Sequence, residues 1–513
     1  MRHVRVMGAT LHAAGATLVT VEARFDPAGQ IEKGSTEIVL SGLPDPVIRE
    51  SRGRMLAALR ESQLALPPGK LLLHLGPAGL KKSGELLDLP LALGTASAAG
   101  HIPQDALAGI VFLGELHLDG RLRAVPGGLA TADVALSAGI RTLIAPLETA
   151  REAAALPGIR AFEASSLGEV VAILSGAPVT PLSAPREGDG AKVHTTPRLD
   201  AIRGQAAGKR ALEVAAAGGH GVLFFGPPGA GKSLLARALS ELMPAPTTAE
   251  RVDMTRVLSA AGRWPGGLAC ERSFRAPHHT TSHAGLVGGG SPPMAGEITL
   301  AHHGVLFLDE LPEFRRDVLE ALRQPIEGGE ILIARAGQQT LLPADFHLVC
   351  AMNPCPCGYL GHPKIPCRCS PFAVARYRGR ISGPLMDRID LRLELSPPSL
   401  GDLLGEAGTE AQIQDTLASP GLVLARRAQA ARERSLERQD RLNSRMGTED
   451  LDRHAPLNAD MRELLVRAAE RQGLSARAIQ SLRRVARTLA DLAEQDLPGR
   501  AQLAEALALR ASL

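Results

Sequence analysis

The chain has 513 residues, 45% hydrophobic and 22% charged, the proportions of a folded globular protein and not of a disordered, collagenous or fibrous one. Its 57 basic and 54 acidic residues leave a formal charge of +3, so any track for nucleic acid must be local. Apolar runs such as Gly221–Phe225 are too short to cross a bilayer, and no apolar signal core follows Arg2 and Arg5; a cytoplasmic protein with no membrane partner is expected.

Residues 1–178 alternate strand-like and helix-like stretches. Leu18–Ala23, Glu37–Leu40, Lys70–Leu75, Ile110–Gly114 and Ile140–Pro146 read as strands. Val47–Leu64, with Val47, Met55, Leu56, Leu59 and Leu64 at roughly helical spacing, and Leu86–Ala99 read as helices. The mixture predicts an α+β or α/β domain. Ser175–Pro197 is rich in Pro, Gly, Ser and Thr without a hydrophobic period, which places a linker at residues 179–198. Residues 199–400 alternate short apolar strands, a Gly-rich turn and helices, the pattern of a parallel sheet with helical crossovers. Residues 401–513 are dominated by Ala, Leu, Arg and Glu. Leu422–Leu442, Asp460–Gln472, Ala476–Glu494 and Ala501–Leu513 read as the helices of a C-terminal α-helical domain.

Gly226-Pro227-Pro228-Gly229-Ala230-Gly231-Lys232-Ser233 matches the phosphate-binding pattern G-x-x-x-x-G-K-[ST]. The apolar strand Gly221–Phe225 enters it and the helix Ser233–Leu242 leaves it. Glycines let the backbone wrap closely, so that its N–H groups face phosphate oxygens. Lys232 would place positive charge on the β and γ phosphates of ATP, and the Ser233 hydroxyl would ligate Mg²⁺. A second apolar strand, Val305–Leu308, delivers Asp309 and Glu310 at its end. Asp309 would hold the Mg²⁺ and Glu310 would orient and polarise the attacking water. A third strand, His347–Met352, ends at Asn353, which either meets the γ phosphate or lytic water or is a turn residue before Pro354.

Of six cysteines, four form two close pairs, Cys355/Cys357 and Cys367/Cys369. In an intracellular protein such clustering favours a closed structural Zn²⁺ site over disulfides or free thiols. His362 is a substitute ligand in the same loop. The pairs His278/His279 and His302/His303 read as packing or hydrogen-bonding residues, because adjacent histidines point in different directions.

P-loop, Asp-Glu and Asn in this order resemble an AAA+ ATPase. Arg275-Ala276-Pro277-His278-His279-Thr280, Gly288-Gly289-Gly290 and Gly296–Gly304 fill the long interval before Asp309. They resemble the magnesium-chelatase-like branch with its helix-2 insertion, and most closely the ComM/YifB family. The resemblance implies a homo-oligomeric, typically hexameric ring that hydrolyses ATP with Mg²⁺ and works on single-stranded or branched DNA. Branch migration during natural transformation is the implied task. It also implies that Arg388, in Ser382–Asp390, is an arginine finger for a neighbouring subunit. Arg477, after Leu474-Ser475-Ala476, is implied to be a sensor that contacts the γ phosphate. Glu330–Arg335 and Thr340–Pro343, joined by Ala336-Gly337-Gln338-Gln339, read as a β-hairpin that in related helicases points into the ring, with Arg335 as its DNA candidate. Arg376, Tyr377, Arg378 and Arg380 form a basic segment with an aromatic, suited to phosphate contact and base stacking or to an ion-paired surface.

In the N-terminal part, Leu80–Gly84, Asp88–Leu93, Leu113–Gly120 and Pro126-Gly127-Gly128 resemble the Lon protease (ribosomal S5 domain-2-like) fold. Leu86 stands where that fold's nucleophilic Ser would be, and Ala130, Thr131 and Ala132 offer no Lys, so no peptidase activity is expected. The fold class expected is thus an AAA+ α/β core with an α-helical lid, preceded by a Lon-like α+β domain. A chelatase-type ATPase that remodels a protein or inserts a metal into a tetrapyrrole is the alternative function.

Overall fold

The computed structural model describes residues 3–27, 36–80, 82, 84–184, 198–290, 294–335, 338–398, 401 and 419–511. Lys81, Ser83, most of the expected linker, the hairpin turn Ala336-Gly337 and the side chain of Arg335 lie outside the described residues. The chain forms two compact units.

The first unit holds residues 1–191 together with Thr247–Cys270 and Gly289–Ala295. Its sheet has seven strands: β1 (His3–His12), β2 (Gly15–Pro27), β3 (Thr36–Ser41), β4 (Gly69–Gly76), β5 (Ile110–Phe112), β6 (Thr142–Ala145) and β7 (Arg160–Glu163), in the order β3-β4-β2-β1-β5-β6-β7. β1 and β2 form a long antiparallel hairpin from His3↔Arg24 to His12↔Gly15. β5, β6 and β7 are parallel. Strand β1 is absent from the sequence reading, although Val4 and Val6 alternate with exposed His3 and Arg5 in the pattern of a half-buried strand. Helices α1 (Pro46–Glu61), capped by Asp45, α2 (Asp88–Ala99) and α3 (Gly128–Ser137) belong to this unit. α2 is buried along nearly its whole length. The helix Thr248–Ala260, which follows the P-loop in sequence, packs on α3: Ser259 Oγ accepts from Ala130 N at 3.0 Å, and Arg256 pairs with Asp133 at 3.1 Å.

The second unit carries five parallel strands: β8 (Val222–Phe225), β9 (Phe274–Arg275), β10 (Val305–Leu308), β13 (His347–Met352) and β14 (Leu391–Glu394), in the order β9-β10-β13-β8-β14. Strands β11 (Glu330–Arg335) and β12 (Gln338–Pro343) form a separate antiparallel hairpin. Val222, Phe224, Val305, Phe307, Val349, Ala351, Leu391 and Leu393 share one sheet face. Their core partners include Leu212 and Ala215 of α4 (Ala206–Gly218) and Leu235 and Leu239 of α5 (Lys232–Leu242). Short helices α6 (Arg323–Gly328) and α7 (Pro371–Arg378) flank the sheet in sequence.

The C-terminal helices are α8 (Pro420–Gln439), α9 (Ala459–Gln472), α10 (Ala476–Leu492) and α11 (Arg500–Ala508). Ser419, Asn458 and Ser475 cap the first three with side-chain oxygens, which satisfies N–H groups that a helix start leaves open. Leu482, Val485 and Leu489 of α10 join the same core as the sheet. A buried polar network fastens these helices to it: His220 takes Asp390 at 2.7 Å and Thr488 at 2.8 Å. Asn443 joins Thr488 to Asp491, which Arg438 and Arg487 both hold. Among the described residues no helix is long and apolar enough to cross a membrane.

Candidate active site

The P-loop leaves the C-terminal end of β8. A Cβ on Gly226 would stand 2.2 Å from the Leu395 carbonyl oxygen, so only glycine fits there. Gly229 and Gly231 have φ of 79° and 85°, the left-handed region that lets the loop curl before α5 begins. This is a cradle of backbone N–H groups at the N-terminus of a helix, suited to phosphate.

The side chains around the cradle converge. Lys232 Nζ donates to the carbonyls of Gly226 (2.6 Å) and Pro227 (3.0 Å) and to Asn353 Oδ1 (3.1 Å). Burial lowers its pKa, opposed by the charge of Asp309. Ser233 Oγ donates to Asp309 Oδ2 at 3.0 Å. A hydroxyl and a carboxylate in that arrangement present two oxygens to one hard cation, as a Mg²⁺ site requires. Asp309 Oδ1 accepts from Glu310 N at 2.9 Å, and Glu310 turns at φ 53°, so the two carboxylates leave the strand in different directions. Asn353 ends β13, which lies between β8 and β10; the sheet order therefore brings all three motifs to one edge.

His279, which the sequence marks as a packing or hydrogen-bonding residue, belongs to this site. Its Nδ1 lies 3.0 Å from Glu310 Oε2. The parallel register of β9 on β10 pairs Arg275 with Leu306, and four residues further along both chains His279 runs beside Glu310. Only the strand pairing carries that signal. His278 instead meets Thr280 at 2.9 Å, and His302 accepts from Asp345 N.

The cysteine loop follows Asn353 directly. The Sγ atoms of Cys355, Cys357 and Cys367 are separated by 3.4, 3.6 and 3.6 Å, and with Cys369 all four lie within 4.8 Å of one another. Four thiolates on a tetrahedral Zn²⁺, at about 2.3 Å each, would stand about 3.8 Å apart. All four are free of disulfides, and the donor set fits the metal. Backbone N–H donation from Tyr359 and Arg368 brings Cys357 down to about 6. His362 is outside the sulfur cluster; its Nδ1 accepts from Lys364 N and Ile365 N. A Cβ on Gly358 would lie 3.1 Å from Pro228, so the loop packs on the P-loop itself.

Arg388 and Arg477 meet elsewhere. Both line a cavity of about 310 Å³ with Glu327, Asp387, Arg445 and Gly221. Gly221 precedes β8, whereas the P-loop follows it; the cavity is therefore at the opposite end of a four-residue strand, about 13 Å away at 3.3 Å per residue. Arg388 is nearly buried, with Nη1 on the Pro384 carbonyl and Nη2 on Glu327, both at 2.7 Å.

Of the basic segment, Tyr377 is buried, which pushes its hydroxyl up to about 12 and withdraws the ring from stacking on a base. Arg378 donates to the Pro354 carbonyl and Arg380 to Glu313. Phe372 and Arg376, one turn apart on α7, are the exposed aromatic and cation there.

A five-stranded parallel sheet with its P-loop on an interior strand, Asn on the strand beside it, the acidic pair on the strand after that, and a helical region following in sequence defines a P-loop ATPase of the AAA+ class. Three profiles of the magnesium-chelatase family match the chain. They are "Subunit ChlI of Mg-chelatase" over residues 29–149, "Magnesium chelatase, subunit ChlI" over 198–403 and "Magnesium chelatase, subunit ChlI C-terminal" over 420–510. The chain is 38% identical over 488 residues to YifB of Salmonella typhimurium, covering 94% of this chain and 93% of that protein. It is 38% identical over 509 residues to the competence protein ComM of Haemophilus influenzae, covering 97% and 95%. Similarity to the magnesium-chelatase 67 kDa subunit of Chlorobaculum parvum is 26% over 134 residues, 26% of this chain and 19% of that one. The chain belongs to the ComM/YifB family of magnesium-chelatase-like AAA+ ATPases.

Proposed function

We propose that the chain is an ATP-driven ring motor acting on DNA, and that its task is branch migration in homologous recombination linked to competence. The observation that carries the ATPase part is the convergence of Lys232, Ser233, Asp309, Glu310 and Asn353 on one cradle. Mg²⁺, when bound with ATP, supplies charge neutralisation at the phosphates. Ser233 and Asp309 would hold it. Lys232 binds the phosphates, Asn353 positions Lys232, and Glu310 takes a proton from the attacking water.

Arg388 and Arg477 are read as serving a neighbour's nucleotide, since they lie together beyond the far end of β8 from their own P-loop. That reading favours a homo-oligomer, most simply a closed hexameric ring. For DNA, the support is the β11–β12 hairpin, the exposed pair Phe372 and Arg376, and full-length similarity to a competence protein. The cysteine loop is read as a structural Zn²⁺ knuckle bracing the P-loop, and the N-terminal unit as a Lon-like scaffold without peptidase chemistry; Leu86 is buried there. The chelatase-type alternative has support from the family profiles, but the matched chelatase segment covers a quarter of this chain, against nearly all of it for ComM. The test is ATP turnover with and without single-stranded, duplex and four-way-junction DNA at two salt concentrations. Stimulation that weakens with salt supports phosphate contacts coupled to the motor. No binding or stimulation by any DNA would overturn the DNA reading in favour of a protein or tetrapyrrole client.

A further inference from the structure

Glu327 lies in the last turn of helix α6, three residues before Glu330, the first paired residue of the β11–β12 hairpin. Its carboxylate meets the two arginines assigned to a neighbour's nucleotide: Arg388 Nη2 at 2.7 Å and Arg477 Nη2 at 3.7 Å. Its backbone meets a third arginine. Arg445 Nη1 donates to the carbonyls of Ile326 (2.6 Å) and Glu327 (2.9 Å). Arg445 Nη2 reaches Asp345 Oδ1 at 2.8 Å, on the far side of the hairpin. Ala344 N donates to the Gly329 carbonyl at 2.8 Å and closes the stem between them. Glu327 therefore meets Arg388 and Arg477 with its side chain and, through Arg445 on its main-chain carbonyl, is tied to Asp345 at the foot of the hairpin.

The structure shows the state in which Glu327 holds both arginines. While Arg388 is held by Glu327 and the Pro384 carbonyl it is nearly buried. A terminal phosphate offers more negative charge and more acceptor oxygens than one carboxylate, so it competes for the same guanidinium forks. Each arginine drawn to phosphate leaves Glu327, and with it one hold on the end of α6. We propose that Glu327, seated by Arg445, is the positioning residue that couples nucleotide in the neighbouring subunit to the β11–β12 hairpin. The coupling is reciprocal: a load that displaces the hairpin stem changes how readily Arg388 and Arg477 are released. This rests on the reading of the two arginines as acting between subunits.

Hydrogen–deuterium exchange of the full chain, with Mg²⁺ and a non-hydrolysable ATP analogue, tests it without DNA or turnover. Sedimentation is run in parallel, and P-loop peptides report nucleotide binding. In the wild type, residues 330–343 are expected to change their exchange rate about fivefold or more on nucleotide-driven assembly, the lower end of ordinary allosteric coupling. Glu327→Gln is expected to keep P-loop protection and assembly but to lose the hairpin response. Glu327→Asp, which keeps the charge, recovers part of it. A full hairpin response in both Glu327→Gln and Arg445→Gln overturns the proposal. So does an assembled, nucleotide-bound wild type whose hairpin does not respond, and in that case the ring reading stands. Protection of the P-loop with no assembly overturns the ring reading and takes the coupling with it.

Discussion

Replacing Glu310 by Gln separates chemistry from binding in this site. Glu310 is half exposed and its one close side-chain partner among the described contacts is His279, at 3.0 Å. Gln has the same size and can still hydrogen-bond to the imidazole, so the turn at φ 53° keeps its shape. Lys232, Ser233 and Asp309 remain in place, and a half-exposed isosteric change of this kind moves stability by no more than about 0.5 kcal/mol. What disappears is the negative charge that accepts the proton. Loss of a general base costs roughly 10²–10⁴-fold in rate, or about 2.7–5.4 kcal/mol in the barrier. The expected outcome is ATP turnover reduced by that factor while a fluorescent ATP analogue binds with unchanged affinity. Lys232→Ala, by contrast, removes binding itself. If Glu310→Gln binds nucleotide normally and turns it over within about tenfold of the wild type, Glu310 is not the base, and the attacking water must be activated by another group.

Three further outcomes follow from the geometry. Metal analysis of protein purified without chelator should give about one zinc per chain, and Cys367→Ser should lower both that content and the affinity for ATP, because Gly358 leans on Pro228; a wild-type value far below one removes the metal site. Asp491→Ala should destabilise the C-terminal helices by about 3–5 kcal/mol, since Arg487 and Arg438 lose their shared carboxylate and Arg487 stays buried; a denaturant midpoint that hardly moves would contradict this. His347 is held down to about 3, chiefly by burial and then by the charge of Arg432. The unfolded chain therefore binds more protons than the folded one below pH about 6.5, and this residue's contribution to stability falls on acidification through that window, by about 2 kcal/mol between pH 7 and 5. His347→Gln should flatten that part of the pH profile, and an unchanged slope would show that His347 does not carry it.

Local chemistry made the nucleotide side of the site legible in the sequence. A P-loop must have its glycines where the backbone curls, and the structure gives reasons residue by residue in the crowding at Gly226 and the positive φ of Gly229 and Gly231. The apolar runs before Ser233 and Asp309 likewise had to be buried strands. What stayed hidden depends on pairing. In strand β1 His3 and Arg5 interrupt the apolar residues, and only the pairing shows that they face out from the sheet. The helix Thr248–Ala260 reads in order as part of the ATPase, but its Ser259 and Arg256 find their partners on α3. Tyr377 reads as a stacking ring beside three arginines until its burial is seen.

His279 and Glu327 carry that point into mechanism. His279 lies in the Arg275–Thr280 segment and Glu327 in no motif, and the part each plays is defined by what the fold brings beside it. Parallel strands set β9 against β10, so a histidine 31 residues before Glu310 in sequence becomes its direct partner. The end of α6 meets Arg388 and Arg477 from segments much further along the chain. Binding residues can be recognised singly, because phosphate and Mg²⁺ demand the same groups wherever they are bound. Residues that time the reaction act on other side chains, so their identity is set by neighbours that only the fold supplies. Replacing His279 should accordingly change the turnover number more than the affinity for ATP, since its contact is with Glu310 and not with the phosphate cradle. A variant that loses nucleotide affinity while keeping its turnover number would place His279 in binding and refute this division.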